Sequence, residues 1–486
     1  MTDTMNKARL SEDREIETDL PQRMDRLPWS SWHVRIITAL GTSWLLDGLE
    51  VTLVGSLSGI LESKQGLSLS DPQVTAAATT YLAGAVIGAL LFGHLTDRLG
   101  RKKLFLVTLA TYSVATVCTA FSHGFLFFAV CRFFTGLGIG GEYAAINSAV
   151  DELIPGKVRG TVDLFVNGTF WVGASVGSVT ALVLLGGSLF PQATSWRYAF
   201  GIGGGLGLLV LLLRLAVPES PRWLMLRGRE EEAETIVRDV EQRVTTSSGK
   251  ALTRPEGEKL KITFRDHTPW KEIFVNMLGE NRQRSFLGLA LMIAQSFFFN
   301  AVFFTYALVG KRFFHVPDQK LPLQLLPFAI ASFLGPFVLG PLFDRIGRKP
   351  MITATYAVAG ILLGAICLPF ATGSLGLRGL GICFSIIFFV ASSAASAAYL
   401  TVSEIFPLEI RAFAIALFYA IGTCIGGVGA PLLFGVLIHT GSKPAVAAGY
   451  ALGAALMVGA AVLEAIIGVE AAGKSLESVS KPLQSK

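Results

Sequence analysis

The amino-acid sequence predicts an all-α integral membrane protein with twelve transmembrane helices in two pseudo-symmetric six-helix bundles. Three observations support this fold class: an apolar composition, twelve long apolar blocks and a loop motif that occurs once in each half. Hydrophobic residues make up 52% of the 486 residues and charged residues only 16%, with a mean hydropathy of +0.56. Soluble domains carry about 25% charged residues, so most of this chain is predicted to lie in lipid.

Each apolar block is about 18 residues long or longer, enough for a helix rising ~1.5 Å per residue to cross a hydrocarbon core of ~30 Å. Twelve such blocks could not plausibly be packed inside one soluble core. The blocks cover residues 36–60, 74–95, 104–121, 125–147, 162–185, 198–217, 286–309, 321–343, 351–370, 377–402, 412–438 and 445–469.

The blocks divide the chain into five segments. Residues 1–33 form a polar N-terminal tail, 34–217 the first bundle, 218–284 a linker, 285–469 the second bundle and 470–486 a C-terminal tail. Within the linker, apolar residues recur at helical spacing opposite a charged face, which predicts an amphipathic helix against the membrane surface. The apolar positions are Ala233, Ile236, Val237, Val240 and Val244.

Basic residues are distributed unevenly between the short loops. The loops on the side of the N-terminal tail carry ten Lys and Arg, against seven on the opposite side, and cytoplasmic loops are the more basic ones. The tail contains no apolar signal core, so both termini are predicted to be cytoplasmic and the membrane to be the cell membrane. The net charge of +6 does not predict nucleic-acid binding, because acids are interleaved with the basic residues.

A loop motif follows the second apolar block and recurs after the eighth. Its copies are residues 93–103 (GHLTDRLGRKK) and 340–350 (GPLFDRIGRKP), and seven of the eleven positions are identical. A second pair, 152–159 (ELIPGKVR) and 404–411 (EIFPLEIR), recurs at nearly the same offset. Two motifs in register indicate an internal repeat with both halves in parallel orientation, an arrangement known from transporters that bind solute between their halves.

The motif G-x-x-x-D-R-x-G-R-K resembles the signature loop of the major facilitator superfamily. Residues 132–141 (RFFTGLGIGG) and 218–223 (PESPRW) are similar to motifs of its sugar-porter branch and of related metabolite–proton symporters. The resemblance implies a salt-bridge network that holds the halves together on the inner side and breaks on inward opening. It assigns this gating role to Gly93, Asp97, Arg98, Gly100, Arg101, Glu152, Arg159, Glu219, Arg222, Asp344, Arg345, Gly347, Arg348, Glu404 and Arg411.

Polar and aromatic residues in the apolar blocks are the candidates for solute contact. The seventh block keeps a Gln and an Asn of the sugar-porter pattern but not its other polar residues, so a sugar or polyol and an organic acid both stay open as substrates. Amides and aromatic rings suit a small polar molecule, although each of these residues alone could instead join helices. The candidates are Asn167, Trp171, Gln295, Asn300 and Tyr399, with Tyr143 and Tyr306.

A charged residue within a membrane helix costs about 2.5–3.5 kcal/mol on insertion scales, and four such residues on the first and fourth helices are candidates for a function. Asp47 and Glu50 share one face of the first helix, and Arg132 and Glu142 lie on the fourth. The resemblance places Glu50 at or near a proton site and Arg132 at its partner. We therefore expect these four residues to bind and release a coupling proton; the alternative is a static Glu50–Arg132 pair that only positions two helices.

These patterns favour a secondary active transporter that imports a small polar metabolite together with protons, by alternating access and as a monomer. An uncoupled facilitator or a proton-antiporting exporter is the alternative within the same class, and a solute sensor without flux is the alternative from another class. No nucleotide-binding or catalytic constellation is present, and the five cysteines have no metal or disulfide spacing. The sequence therefore predicts no enzyme activity and no cofactor.

Overall fold

Twelve long helices, α1 to α12, form the body of the protein in a computed structural model that describes residues 15–63, 66–185, 191–215, 217–255, 259–263, 268–303, 305–317, 320–481 and 483. The predicted all-α twelve-helix fold is confirmed. In chain order the helices are Ser31–Glu62, Asp71–Leu99, Arg101–Thr119, Phe125–Leu153, Arg159–Leu185, Gln192–Arg214, Arg282–Phe314, Leu321–Arg345, Arg348–Ala371, Leu377–Ile405, Arg411–His439 and Lys443–Ile467.

Eleven of these helices in the described part of the chain are long and apolar enough to cross a membrane. The twelfth, α3, has 19 residues and begins with Arg101, Lys102 and Lys103. It packs against α4 and α6 within the first bundle, as a neighbouring spanning helix would. The basic start of α3 therefore lowers its apolar character without removing it from the bundle.

Two of the long helices are irregular near their middle. In α7 the α-helix Arg282–Val302 ends and a second helix, Tyr306–Phe314, begins after a short break. In α11 the residues Thr423–Gly429 form a π-helical segment between Arg411–Gly422 and Ala430–His439. Such departures from regular helix are frequent at functional sites.

The two bundles use the same internal packing and meet through corresponding helices. Within the first bundle, α2 packs on α4 and α3 on α6; within the second, the equivalent helices pack in the same way, α8 on α10 and α9 on α12. The principal contacts between bundles are α5 with α8 and α2 with α11. These two pairs are exchanged by the internal repeat, so the interface has approximate twofold symmetry.

Glycines allow the closest helix contacts inside the first bundle. A Cβ atom at Gly173 would lie 1.8 Å from the carbonyl oxygen of Leu45, and one at Gly48 would lie 1.8 Å from the oxygen of Phe170. The backbones of α1 and α5 are therefore in direct contact, as is typical of membrane helices that associate through small residues.

Short elements cover one end of the bundles, the end that carries the repeated loop motif, which we call the motif face. An antiparallel pair of strands, Glu15–Thr18 and Leu260–Thr263, joins the N-terminal segment to the linker and is an exception to the all-helical prediction in the described residues. The remaining elements are the helices Leu20–Asp25, Pro221–Leu226, Glu230–Ser248, Trp270–Val275 and Leu476–Val479, and the π-helix Asn276–Glu280.

In the linker, where the sequence predicts an amphipathic helix, the structure has the helix Glu230–Ser248. Its predicted apolar face is buried at all positions except Ile236, which is half-buried. It packs against α1 and the helices Leu20–Asp25 and Pro221–Leu226. Arg23 binds Glu234 at 2.7 Å and Glu241 at 2.6 Å. Burial alone would raise the pKa of Glu241, but hydrogen bonds from Arg23 and Arg26 lower it overall.

The α1–α5 contact provides a test of the fold. We expect Gly173→Val to prevent folding, because its side chain would overlap the backbone of Leu45 and overpacking of this kind costs about 3 kcal/mol or more. Gly205→Val on α6 is the matched control, since no heavy atom lies within 4 Å of a Cβ there. Size-exclusion chromatography of detergent extracts should show a monodisperse peak for the control alone; equal peaks would contradict the packing.

Candidate functional site

A cavity lies between the two bundles near the middle of the molecule. Its volume is about 210 Å³, below the range of about 300–1,000 Å³ typical of pockets for drug-sized ligands. The size favours a single small molecule. The lining comes from α1, α2, α4 and α5 of the first bundle and from α7, α10 and α11 of the second.

Six of the seven predicted solute contacts line this cavity. The cavity side chains predicted from the sequence are Asn167, Trp171, Gln295, Asn300, Tyr399 and Tyr143. Tyr306 departs from the prediction, because it follows the break in α7 and packs edge-on against Phe328 at 4.7 Å and Phe384 at 5.9 Å. Its hydroxyl donates to Gln324 at 3.4 Å. The side chain therefore makes its contacts outside the cavity lining.

An aromatic cluster from both bundles forms part of the lining. Trp44 stacks on Tyr143 with ring centres 4.5 Å apart, and Tyr399 meets Trp44 edge-on at 5.7 Å. Tyr419 contacts Tyr143 at 4.7 Å. Sequence reasoning missed Trp44, Tyr81 and Tyr419, since an aromatic residue on a membrane helix is more often a packing residue and only the folded arrangement brings these rings together.

Two of the cavity amides, Asn300 and Gln295, make few hydrogen bonds to other side chains. The amide nitrogen of Asn300 donates to the carbonyl of Ser296 at 2.8 Å, and the nitrogen of Gln295 reaches the sulfur of Met292 at 3.9 Å. Serine and threonine hydroxyls of α7, α10 and α11 add further polar groups, and no charged side chain is among the described lining residues. The arrangement can therefore bind hydroxyl, carbonyl or N–H groups by neutral hydrogen bonds and a flat ring by stacking.

The predicted pair of Glu50 and Arg132 is present. The Arg132 guanidinium donates to Glu50, and the hydroxyl of Thr116 donates to the same carboxylate at 3.3 Å. Arg132 also lies over the ring of Tyr81, 4.7 Å from its centre. Because Tyr81 lines the cavity, this ion pair is one side chain away from the solute space.

A second ion pair lies beside Asp47. Arg214 on α6 donates to Glu142 at 2.8 Å and to Ser43, and both charged groups are buried. Asp47 is fully buried, and neither of its carboxylate oxygens has a hydrogen-bond partner in the described part of the chain. Sequence reasoning missed Arg214, although an arginine inside the sixth apolar block was a visible signal.

At the motif face, two aspartates bind the first turns of helices from the opposite bundle. Asp97 at the end of α2 accepts from the backbone N–H groups of Ala412 at 3.3 Å and Phe413 at 2.9 Å, at the start of α11. Asp344 at the end of α8 accepts from the N–H groups of Gly160 at 3.1 Å and Thr161 at 2.7 Å, at the start of α5. Each carboxylate therefore accepts from N–H groups that have no partner within their own helix, and its negative charge is stabilised by the positive end of the helix dipole.

Buried arginines connect the same two loops. Arg101 binds Glu152 at 2.9 Å and Arg348 binds Glu404 at 3.0 Å within their own bundles. Between bundles, Arg159 lies 3.7 Å from Glu404 and Arg411 lies 3.8 Å from Glu152. We call these six residues, with Asp97 and Asp344, the gate cluster. In this structure the cluster is assembled, so the bundles are held together at the motif face.

Two further carboxylates anchor the motif turns. Glu219 accepts from the backbone N–H of Arg101 at 2.9 Å, and Glu470 accepts from that of Arg348 at 2.8 Å. The preceding residues, Gly100 with φ +101° and Gly347 with φ +123°, adopt a backbone conformation that favours glycine, and a Cβ at either would collide with the carboxylate.

The other predicted gating residues divide into contacting and exposed groups. Arg222 binds Glu477 at 2.9 Å and Asp25 at 3.0 Å, and Gly93 allows close approach of Ala416 on α11. Arg98 and Arg345 are exposed and lie outside the gate cluster, because their positions on α2 and α8 turn them away from the interface.

Residues 42–482 match the model of the family described as "Sugar (and other) transporter". The chain belongs to this family. It is a multi-pass membrane transporter for sugars or other metabolites, and not an enzyme. Its fold is that of a solved transporter of the major facilitator superfamily.

Individual relatives are similar over nearly the whole chain. The niacin transporter NiaP of Acinetobacter baylyi is 25% identical, with 95% of this chain and 99% of that protein covered. Myo-inositol transporter 2 of Schizosaccharomyces pombe is 26% identical, with 94% and 82% covered. The proton:xylose symporter XylE, solved with 6-bromo-6-deoxy-D-glucose, shares the fold with a TM-score of 0.74 and 21% identity over 92% of this chain and 98% of that chain.

The gate cluster can be tested at neighbouring residues. We expect Asp97→Asn to raise the labelling rate of Ser403→Cys at least about tenfold, because loss of a charge-assisted hydrogen bond costs about 1.5–3 kcal/mol and Ser403 is fully buried beside Glu404. Arg98→Ala is the control, since Arg98 is exposed. Labelling with a small maleimide in a cysteine-free background measures the rate; equal rates for both variants would exclude a closing role for Asp97.

Proposed function

We propose that the protein is a proton-coupled secondary transporter that takes up a small, uncharged polar metabolite by alternating access. The observation that carries the proton coupling is the fully buried Asp47, which has no hydrogen-bond partner in the described residues and lies near the ion pairs Glu50–Arg132 and Glu142–Arg214. The observation that carries the substrate class is the cavity, with its amides, hydroxyls and aromatic rings.

The charge balance around Asp47 supports one exchangeable proton. Three carboxylates, Asp47, Glu50 and Glu142, face two guanidinium groups, Arg132 and Arg214. An unpaired buried carboxylate costs several kcal/mol or more when charged. One bound proton makes the cluster neutral, and water entering from one side of the membrane makes its release favourable. Proton affinity then depends on which side is open.

Alternating access follows from the two ends of the cavity. With the gate cluster assembled, the motif face is closed; its ion pairs and the two aspartate–helix contacts must separate before solute can leave on that side. Parallel repeats rocking about a central binding site provide this movement. We propose that the gating residues predicted from the sequence act in this step, with Arg98 and Arg345 contributing only surface charge.

An uncharged solute is favoured over an organic acid because no Arg, Lys or His lines the described cavity. A carboxylate is usually bound by charge-assisted hydrogen bonds from such side chains. The names of the relatives include a polyol, myo-inositol, and an aromatic carboxylic acid, niacin. The first supports a sugar or polyol and the second the organic-acid alternative, whose ring could stack on Trp44 or Trp171. We propose a sugar or polyol first, with an organic acid as the alternative.

We further propose that the protein lies in the cell membrane with both termini and the motif face in the cytoplasm. The excess of basic residues in the loops of the motif face supports this orientation. We propose a monomer, because each chain contains both bundles and one complete cavity.

Asp47→Asn and Glu50→Gln provide the test of coupling. We expect each variant to lose accumulation against a gradient and the dependence of uptake on external pH, since neither amide can carry the proton. Asp239→Asn on the linker helix, an exposed acid, should behave as the parent. The measurement is uptake into proteoliposomes with and without an imposed pH gradient, using a solute found by a thermal-shift screen of sugars, polyols and carboxylates.

Two results would point to the rival functions. Uptake that equilibrates without regard to the pH gradient in the parent would indicate a facilitator, and solute binding without flux would indicate a sensor. If uptake by Asp47→Asn and by Glu50→Gln depended on pH as uptake by the parent does, the coupling proton would bind elsewhere.

Gln295→Ala tests the cavity as the solute site. We expect the dissociation constant to rise about tenfold, corresponding to ~1.4 kcal/mol, because the amide of Gln295 has free hydrogen-bonding capacity toward the cavity. Tyr306→Phe is the matched control, because this residue lies outside the lining and should leave affinity unchanged. Quenching of the fluorescence of Trp44 and Trp171 measures both; equal affinities would move the solute site away from Gln295.

A further inference from the structure

Asp163 is a buried acid on α5 that sequence reasoning did not identify. It lies one helical turn before the cavity residue Asn167 and is fully buried. Its Oδ2 accepts from the amide nitrogen of Asn167 at 3.1 Å, while its Oδ1 has no hydrogen-bond partner in the described part of the chain. Asp163 is thus connected to the cavity by one hydrogen bond and is otherwise unsatisfied.

The acids of the neighbouring gate cluster are stabilised differently. Asp344 binds Arg348 at 2.7 Å, Glu404 binds Arg348 at 3.0 Å and Glu152 binds Arg101 at 2.9 Å. No ion pair involves Asp163 among the described residues within the usual 4 Å. A buried carboxylate without a cation is costly in its charged form, whereas a neutral carboxyl group can remain there.

Two acids and one arginine act on Asp163, and two further arginines of the gate cluster, Arg159 and Arg411, lie near those acids. Asp151 of α4 and Glu404 of α10 act on it with negative charge, and Arg348 of α9 with positive charge. That arginine is already shared by Asp344 of α8 and Glu404. On α1, which packs along α5, Arg35 is exposed. The surroundings therefore disfavour a second uncompensated negative charge.

We propose that Asp163 is a second proton-binding site, on the motif-face side of the cavity, which holds a proton while the gate cluster is closed and releases it when the cluster opens. In the closed state the O–H bond is on Oδ1, because Oδ2 is the oxygen that accepts from Asn167. On opening, water reaches the site and solvates the carboxylate, while Arg348 and Glu404, which both lie in the opposite bundle, move away together. The O–H bond then breaks, the proton passes to water and the carboxylate remains.

The amide of Asn167 connects this site to the solute. Its nitrogen faces three oxygens: Oδ2 of Asp163, the carbonyl oxygen of Asp163 at 2.9 Å and Oδ1 of Asn147 at 3.0 Å. A flipped amide would place its own oxygen against these acceptors, so the orientation is fixed. The oxygen of Asn167 has no partner in the described residues, and a hydroxyl or N–H of the solute can donate to it.

The test uses the full chain reconstituted in lipid, and pH is the only probe. Infrared difference spectra between alkaline and acidic buffer report the carbonyl stretch of protonated carboxyl groups. We expect Asp163→Asn to lose one such band and Asn167→Ala to shift it, because Oδ2 then loses its donor. Asp239→Asn, an exposed acid, should leave the band in place.

An unchanged carboxyl band in Asp163→Asn would overturn the inference. If that variant does not fold, an unshifted band in Asn167→Ala would overturn it instead, since the donor to Oδ2 would have been removed without effect. Proton binding at Asp163 does not depend on the proposed proton coupling; only a role of this proton in transport rests on that proposal. Suppose that Asp47→Asn and Glu50→Gln kept the pH dependence of the parent while a carboxyl band was assigned to Asp163. Proton coupling at the first helix would then be rejected and proton binding at Asp163 supported.

Discussion

Two carboxylates join the bundles at the motif face, and each accepts hydrogen bonds from the first turn of a helix in the opposite bundle. Asp97 and Asp344 each replace water as the acceptor for two backbone N–H groups, at the ends of helix dipoles. These contacts are strong only while both partners are aligned, so a small rotation of one bundle removes them together. The contact between the bundles at the motif face therefore depends on this pair of alignments.

Buried acids in the described chain fall into two groups with different physical roles. Those of the gate cluster have arginine partners and define one arrangement of the loops. Asp47 on α1 and Asp163 on α5 have no ion-pair partner among the described residues, and neither do the buried acids Asp151 and Glu464. A paired acid favours a fixed charge, whereas an unpaired acid responds to water. Paired and unpaired buried acids thus lie within the same bundle interior.

The fold and the residues that meet at the motif face could be predicted because their signals are local: long apolar blocks, and motifs repeated at a constant offset. Contacts set by the tertiary arrangement could not. Tyr306 was expected in the cavity, but no Gly or Pro marks the break in α7 that turns it away. Arg98 and Arg345 belong to the motif, yet helical position directs them outward. The ion pair of Arg214 with Glu142 could not be predicted either, because these residues are far apart in the sequence. The hydrogen bond from Asn167 to Asp163 depends on side-chain orientations that the sequence does not give.

The strand pair at the motif face has a consequence for dividing the chain. Because Glu15–Thr18 pairs with Leu260–Thr263, and Arg23 binds the linker helix, most of the linker is structurally part of the first bundle. A polypeptide cut after Thr263 keeps these contacts in one fragment, whereas a cut in the middle of the linker separates them. The boundary between the two halves, as units of assembly, lies close to the second bundle rather than midway between them.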